Sequence, residues 1–375
     1  MAGTRIGRQV ISLETPVNNV GRCFSVILVH TEVTGVIQMN TMSKGKQSFV
    51  FSEPPAICAW ASVAGKKEFE GPLSTYFDIT DIDTYFGEKT WESAEMKMQK
   101  LVLKKLAEKA EMAQSDFHLI FSGDLLNQCI GSSFTLRNTK IPHIGLYGAC
   151  STMAESLMMA SMAVGGGFVN NAVAMTSSHF ASSERQYRFP LGYGGQRTPT
   201  AQWTVTGSGA ALVTRKKSGP KITACTIGTV VDLGIKDANN MGAAMAPAAF
   251  QTIKQHFEDL SITADAYDLV VTGDLGQIGK ETLLTMAQRE GVSLGGKLTD
   301  CGTLVFDLLK QDVHAGGSGC GCSAITLCGY LLNKIRDGKL KNILFCGTGA
   351  LLSPTSTQQG QSIPGVCHAV AIQGG

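Results

Sequence analysis

Phe117-His-Leu-Ile-Phe-Ser-Gly-Asp-Leu125 and Tyr267-Asp-Leu-Val-Val-Thr-Gly-Asp-Leu275 are one phrase written twice in the same chain. Each copy reads as an apolar strand that stops at Gly-Asp. The segments downstream of the two copies repeat as well. After the first come Gly148-Ala-Cys150-Ser151, a long apolar helix through Met162, Gly165-Gly-Gly and a strand at Ala172. After the second come Gly321-Cys322-Ser323, a helix through Ile335, Gly338 and a strand at Ile343. The stretch from Asp274 to Cys322 is longer than that from Asp124 to Cys150, so the second copy carries an insertion. A repeat on this scale is a whole α/β unit, with a seam near Arg215-Lys-Lys-Ser-Gly-Pro220.

The remaining segments agree with that reading. Trp91 to Glu111 predicts a helix with Thr90 as its N-cap and Leu101, Leu103 and Leu106 on a broad apolar face. Strand-like runs at Ala172–Thr176, Gly209–Thr214, Asp268–Thr272 and Asn342–Phe345 alternate with helices, which implies parallel pairing. The expected organisation is an extension at 1–41, a first half at 42–217 and a second at 218–375. The run Phe24–Val29 in the extension is strand-like but lacks a partner hairpin.

Composition limits the function classes. The 375 residues are 43% hydrophobic and 17% charged, enough to bury a large core and unlike a disordered chain. Lys plus Arg number 32 and Asp plus Glu 30, with no long basic run, so no nucleic-acid partner is expected. Eleven irregularly spaced cysteines without a secretory signal predict reduced thiols. No apolar run approaches the roughly 20 residues of a membrane span.

Cys150 is the first chemical candidate. It follows Gly148-Ala149 and opens a helix, where positive potential favours thiolate and glycine lets an acyl group near backbone N–H groups. A small buried cysteine filling a tight turn is the alternative. His314, beside Asp312 in a glycine-rich run, is a candidate acid or base, or else a satisfied histidine. Cys320-Gly-Cys322 lacks a second ligand pair, so packing is favoured over a metal. Asp274-Leu-Gly-Gln-Ile-Gly279-Lys280 lacks the first glycine of a phosphate loop and has Glu281 where Ser or Thr should stand. No cofactor is expected. Ser177 to Arg188, continuing through Gly194-Gly-Gln196 to Trp203, reads as a polar loop over a site. In it Arg185 and Arg188 either hold carboxylates or make structural ion pairs.

These strings resemble a known family. Leu146-Tyr-Gly-Ala-Cys-Ser-Thr152, Tyr193-Gly-Gly-Gln196, Pro199-Thr-Ala-Gln-Trp-Thr-Val-Thr-Gly207, Gly234-Ile-Lys-Asp237 and Met241-Gly-Ala-Ala-Met-Ala-Pro-Ala-Ala249 are similar to the stage V sporulation protein AD family. So are Val270–Gly276, Gln311–Ala324 and Gly349–Ser356, the whole likeness running from Lys44 to Ile372. The resemblance implies the thiolase-like α/β fold, two duplicated halves in a layered α-β-α-β-α core. It also implies an endospore protein that binds dipicolinic acid and supports its loading into the developing spore. The implied setting is peripheral, at the inner spore membrane, with membrane proteins of the same operon as partners and a homodimer as a possible assembly.

By the same resemblance Cys150 holds the thiolase nucleophile position. Asp274 stands where active thiolases and ketoacyl synthases carry His or Asn, and Ser318 where the next motif supplies Asn or His. Aspartate brings the wrong charge beside a developing enolate. The expectation is therefore a binding protein on a degenerate catalytic scaffold, its ligand held by residues among Cys150, Asp124, His179, Arg188, Trp203, Asp274, His314 and Ser318. The rival is a thioester-dependent acyltransferase using Cys150 with His314.

Overall fold

The two Gly-Asp phrases end two strands that occupy matching places in one sheet. In the computed structural model, which describes residues 41–187, 197–215 and 218–375, the first half runs β3 (Ala56–Ala64), α1 (Lys66–Phe69), β4 (Ile79–Thr80) and α2 (Trp91–Ala110) after a hairpin of β1 (Thr41–Lys44) and β2 (Ser48–Phe51). It continues with β5 (Ile120–Gly123), α3 (Ile130–Leu136), β6 (His143–Gly145), α4 (Thr152–Gly165), β7 (Asn171–Ser178), α5 (Phe180–Tyr187), β8 (Trp203–Thr204) and β9 (Gly207–Thr214). The second half opens with β10 (Lys221–Thr226), α6 (Met241–Leu260), β11 (Leu269–Thr272), α7 (Gly276–Arg289), β12 (Leu298–Asp300) and α8 (Cys301–Val305). It closes with β13 (Gly317–Ser318), α9 (Cys320–Ile325), α10 (Leu332–Arg336), β14 (Asn342–Ala350), α11 (Pro354–Gln358) and β15 (Gly365–Gln373).

The main sheet has the order β12-β11-β14-β15-β10-β3-β9-β7-β5-β6. Counting only its own strands of this path, each half reads 3-2-4-5-1, and the halves meet at their first strands through the Lys221–Ala56 pair. Pair directions repeat too. β5 lies parallel to β6 and β7, and β11 parallel to β12 and β14, while β9 and β15 run antiparallel to their neighbours. Thr41 and Met42 belong to β1 and so pair with Phe51 and Val50, inside the sheet where the sequence suggested a boundary. Phe24–Val29 lies outside the described residues.

Three apolar clusters define the layers. The first outer layer is α2, where Met98, Val102, Leu103 and Leu106 pack on Val173, Met175 and Leu212 of the sheet. Each such side chain contributes about 1.5–3 kcal/mol. Thr90 caps this helix as expected, its Oγ1 accepting the Ser93 N–H at 3.2 Å. On the second outer layer α6 packs against β14 and β15 through Met245, Ala249 and Ile253.

Between the two halves of the sheet lie α4 and the continuous helical run α9–α10. A helix so placed is buried almost all round, with Met162 near its end exposed, which explains why Thr152–Gly165 is built from alanine, methionine, leucine, valine, glycine and small hydroxyl residues with one acid, Glu155. Its buried serines satisfy themselves: Ser156 donates to Met153 O at 3.0 Å, and Ser161 to Leu157 O. Close approach is possible because β14 carries Gly347, where an added Cβ would stand 2.5 Å from Ala154 Cβ and 2.9 Å from Ser151 O. The stretch after His179 that the sequence suggested was a loop is helical from Phe180 to Tyr187, with its Ser182, Ser183 and Glu184 buried. Among the described residues no helix is long and apolar enough to cross a membrane.

Candidate functional site

Cys150 sits in a one-turn 3₁₀ segment, Ala149–Ser151, that leads into α4. Ala149 adopts φ +53°, a left-handed conformation that aims the chain sharply into the helix. The sulfur is buried in an apolar contact group with Leu125 and Cys320, with Tyr187 against it. The cysteine that faces it is Cys320, at the start of α9. Cys322, in the turn that the repeat matches to that of Cys150, packs in the core instead.

Asp274 follows β11 and points into this centre, fully buried. Its Oδ1 accepts from Thr348 Oγ1 at 2.8 Å, and its Oδ2 accepts from the Gly319 N–H at 2.9 Å and from Ser318 Oγ at 3.1 Å. The Cys150 thiol lies close enough to feel the charge of the same carboxylate. The turn itself is clamped by Asp300, which accepts from Leu275 N, Gly276 N and Thr272 Oγ1 at 2.8–2.9 Å. Gln202 ties the turn to the strand bearing Ser318 by donating to Asp274 O and to Gly317 O, each at 2.7 Å. Segments from both halves thus bring Cys150, Asp274 and Ser318 together.

The electrostatics reverse the thiolate expectation. Burial, followed by the negative charge of Asp274, pushes the Cys150 thiol well above its ordinary range. The helix terminus does not offset those effects, which favour the neutral thiol. Burial also raises Asp274, and the hydrogen bonds it accepts offset only part of that rise.

A cleft of about 570 Å³ opens onto the sulfur. Its walls include Leu125, Met241, Ala350 and Leu352, and its polar lining comes from Ser183, Glu184, Thr204, Tyr187 and Ser318. Tyr187 Oη is committed to Leu125 O at 2.7 Å, whereas the buried Ser183 Oγ has no hydrogen-bond partner. Tyr187, Ala238 and Leu352 also line an outer groove with Pro354 and Thr357, which makes a route from the surface to the cleft.

Several expected site residues lie elsewhere. Asp124 is buried behind the cleft and clamps its own turn, accepting from Leu126 N at 3.1 Å and from Ser132 N and Oγ at 2.8 Å each. His314 is held by Thr198 O at 2.8 Å and Asp312 at 3.0 Å and does not line the cleft. His179 is fixed by Thr84 O at 2.8 Å, and both it and Trp203 line a separate cavity. Arg185 pairs with Glu92 and lies over the Trp91 ring at 5.3 Å, so it is a structural ion pair. Arg188 and the Tyr193–Gln196 string lie outside the described residues. Sequence reasoning missed Ser183, Tyr187, Met241 and Leu352. The helical spacing of Ser183 and Tyr187, four apart, was the available signal.

Residues 45–373 match the stage V sporulation protein AD family. The chain belongs to that family. A Bacillus subtilis (strain 168) relative, stage V sporulation protein AD, is 44% identical over 329 residues, which is 88% of this chain and 97% of the relative. Among solved structures, 3-oxoacyl-[acyl-carrier-protein] synthase III from Aquifex aeolicus VF5 is 14% identical with a TM-score of 0.51, covering 85% of this chain and 99% of its own. Cerulenin-bound OleA from Xanthomonas campestris is 13% identical with a TM-score of 0.54, covering 85% and 96%. At such identity the likeness concerns fold alone, and that fold is thiolase-like. The protein is a sporulation protein built on a thiolase-like scaffold.

Proposed function

We propose that the protein binds dipicolinic acid in the Cys150 cleft and supports its uptake into the developing spore, working beside membrane proteins of its operon at the inner spore membrane. The observation that carries a binding role is the fully buried Asp274 carboxylate beside Cys150, held by Thr348, Ser318 and the Gly319 N–H. Acyl transfer from this sulfur would require a buried thiolate beside a carboxylate, and no histidine lines the cleft among the described residues to take the proton. What the scaffold keeps is the pocket.

The ligand is planar with two carboxylates. Flat apolar walls at Leu125, Ala350 and Leu352 suit its ring, and the unpartnered Ser183 hydroxyl is a ready donor to a carboxylate oxygen. The cleft lining carries no cation among the described residues, so a charge partner must come from beside it. Arg188, one residue after α5 ends at Tyr187, is our choice.

Calorimetric titration with dipicolinate tests this. Wild-type protein is expected to give saturable heat, with Ser183→Ala weakening binding by about 1 kcal/mol and Arg188→Ala by roughly 2–3 kcal/mol. Absence of saturable heat overturns the reading. So does a stable acyl adduct on Cys150, seen by intact mass after incubation with acyl-coenzyme A, because it restores covalent chemistry.

A further inference from the structure

A second cavity, of about 490 Å³, shares no lining residue with the cysteine cleft. It lies where α1 meets the starts of α2 and α5 and the short strand β8, and Lys66, Lys67, Glu68, Trp91, His179 and Trp203 line it. Three features make it more than a surface dent.

Its aromatic wall is fixed. The Phe180 and Trp203 rings stack at 3.8 Å with 6° between planes, and the Lys67 ammonium sits 4.2 Å from the Trp203 ring centroid. Its cations are uncommitted to acids: neither Lys66 nor Lys67 makes an ion pair among the described residues. Its floor holds a fully buried acid. Glu68 Oε1 accepts the Thr206 N–H at 3.0 Å, but Oε2 has no partner. A buried carboxyl atom left unpaired costs stability, and such atoms in folded proteins call for an explanation.

We propose that this cavity is a second small-molecule site, which takes a small aromatic carboxylate. The carboxylate would lie against the Lys67 ammonium with Lys66 beside it, and the ring body would meet the edges of Trp91 and Trp203, whose faces carry Tyr85 and Arg185, and Phe180, Lys67 and Arg197, respectively. Burial holds the Glu68 proton on up to about 7, so below that pH the acid beneath the cavity adds no repulsion to a bound carboxylate. The ammonium then balances the remaining charge.

The site reports on itself, because two of the chain's three tryptophans line it. Benzoate titrated into the full chain is expected to change tryptophan fluorescence saturably. Lys67→Gln should weaken that response by about tenfold, Lys67→Arg should retain it, and Ser183→Ala in the other cleft should leave it unchanged. Circular dichroism confirms that each variant is folded. The proposal is overturned by a wild-type response that does not saturate, by a folded Lys67→Gln with unchanged affinity, or by Ser183→Ala acting as strongly. Dipicolinate calorimetry on the same variants separates the two sites. Dipicolinate heat that depends on Ser183 together with a benzoate response that ignores Lys67 leaves the cleft reading standing while this one falls, and a Lys67-dependent benzoate response without dipicolinate heat does the reverse.

Discussion

Replacing Glu68 with Gln should stabilise the protein, and by an amount that depends on pH. In the unfolded chain this glutamate releases its proton at its ordinary value of 4.5, whereas burial in the fold holds the proton to about 7. Between those values folding takes up a proton, so wild-type stability falls as pH rises; above about 7 the cost stays constant. At roughly 1.4 kcal/mol per unit the full penalty is about 3 kcal/mol. Glutamine has the same shape, keeps an oxygen for the Thr206 N–H and never ionises. Glu68→Gln and wild type should therefore be nearly equal at pH 4.5. They should diverge by roughly 1.4 kcal/mol per unit and hold a constant gap above pH 7. Guanidinium unfolding at half-unit steps from pH 4.5 to 8.5 measures the gap directly. A difference that stays flat across this range would refute the reasoning, since it would mean that Glu68 titrates alike folded and unfolded.

Three further outcomes are expected. Native Cys150 should resist iodoacetamide at neutral pH, and Asp274→Asn, by removing the adjacent negative charge, should speed its alkylation by about tenfold; mass mapping of a timed reaction shows whether the rate moves. Gly347→Ala should cost roughly 2–3 kcal/mol or more, because the new Cβ meets Ala154 and the Ser151 carbonyl, and it should disturb Cys150 through the start of α4; denaturant unfolding measures the loss. Burial pushes His256 and His368 down to about 4, so both rings should still be neutral at pH 5.5 by NMR. Because the unfolded chain takes up those protons near 6.5, each ring should withdraw stability as pH falls from 6.5 towards 4.

Much of the fold was legible in the sequence because its carriers are local. An apolar run ending in Gly-Asp makes a strand and a turn wherever it occurs, and two copies in one chain forced two matching halves of the sheet. Thr90 capped its helix because the capping contact spans three residues. Even the departure at Asp274, read against the family pattern, put the aspartate beside Cys150, whose thiol feels its charge, and beside Ser318, which donates to it.

The charge on the sulfur and the membership of the pocket were settled only by tertiary structure. A helix start argues for thiolate, but burial and an aspartate from the other half outweigh one helix end. His179, Trp203 and His314 carry suitable chemistry and lie near the right strings, yet the fold turns the first two towards a second cavity and ties the third to Asp312. Conversely, Ser183 and Met241 reach the cleft only because α5 and α6 converge there from different halves of the chain. Backbone periodicity and capping act over a few residues and leave a mark in the sequence. Which side chains meet across two packed halves depends on the twist and register of both, and no short stretch of sequence records that.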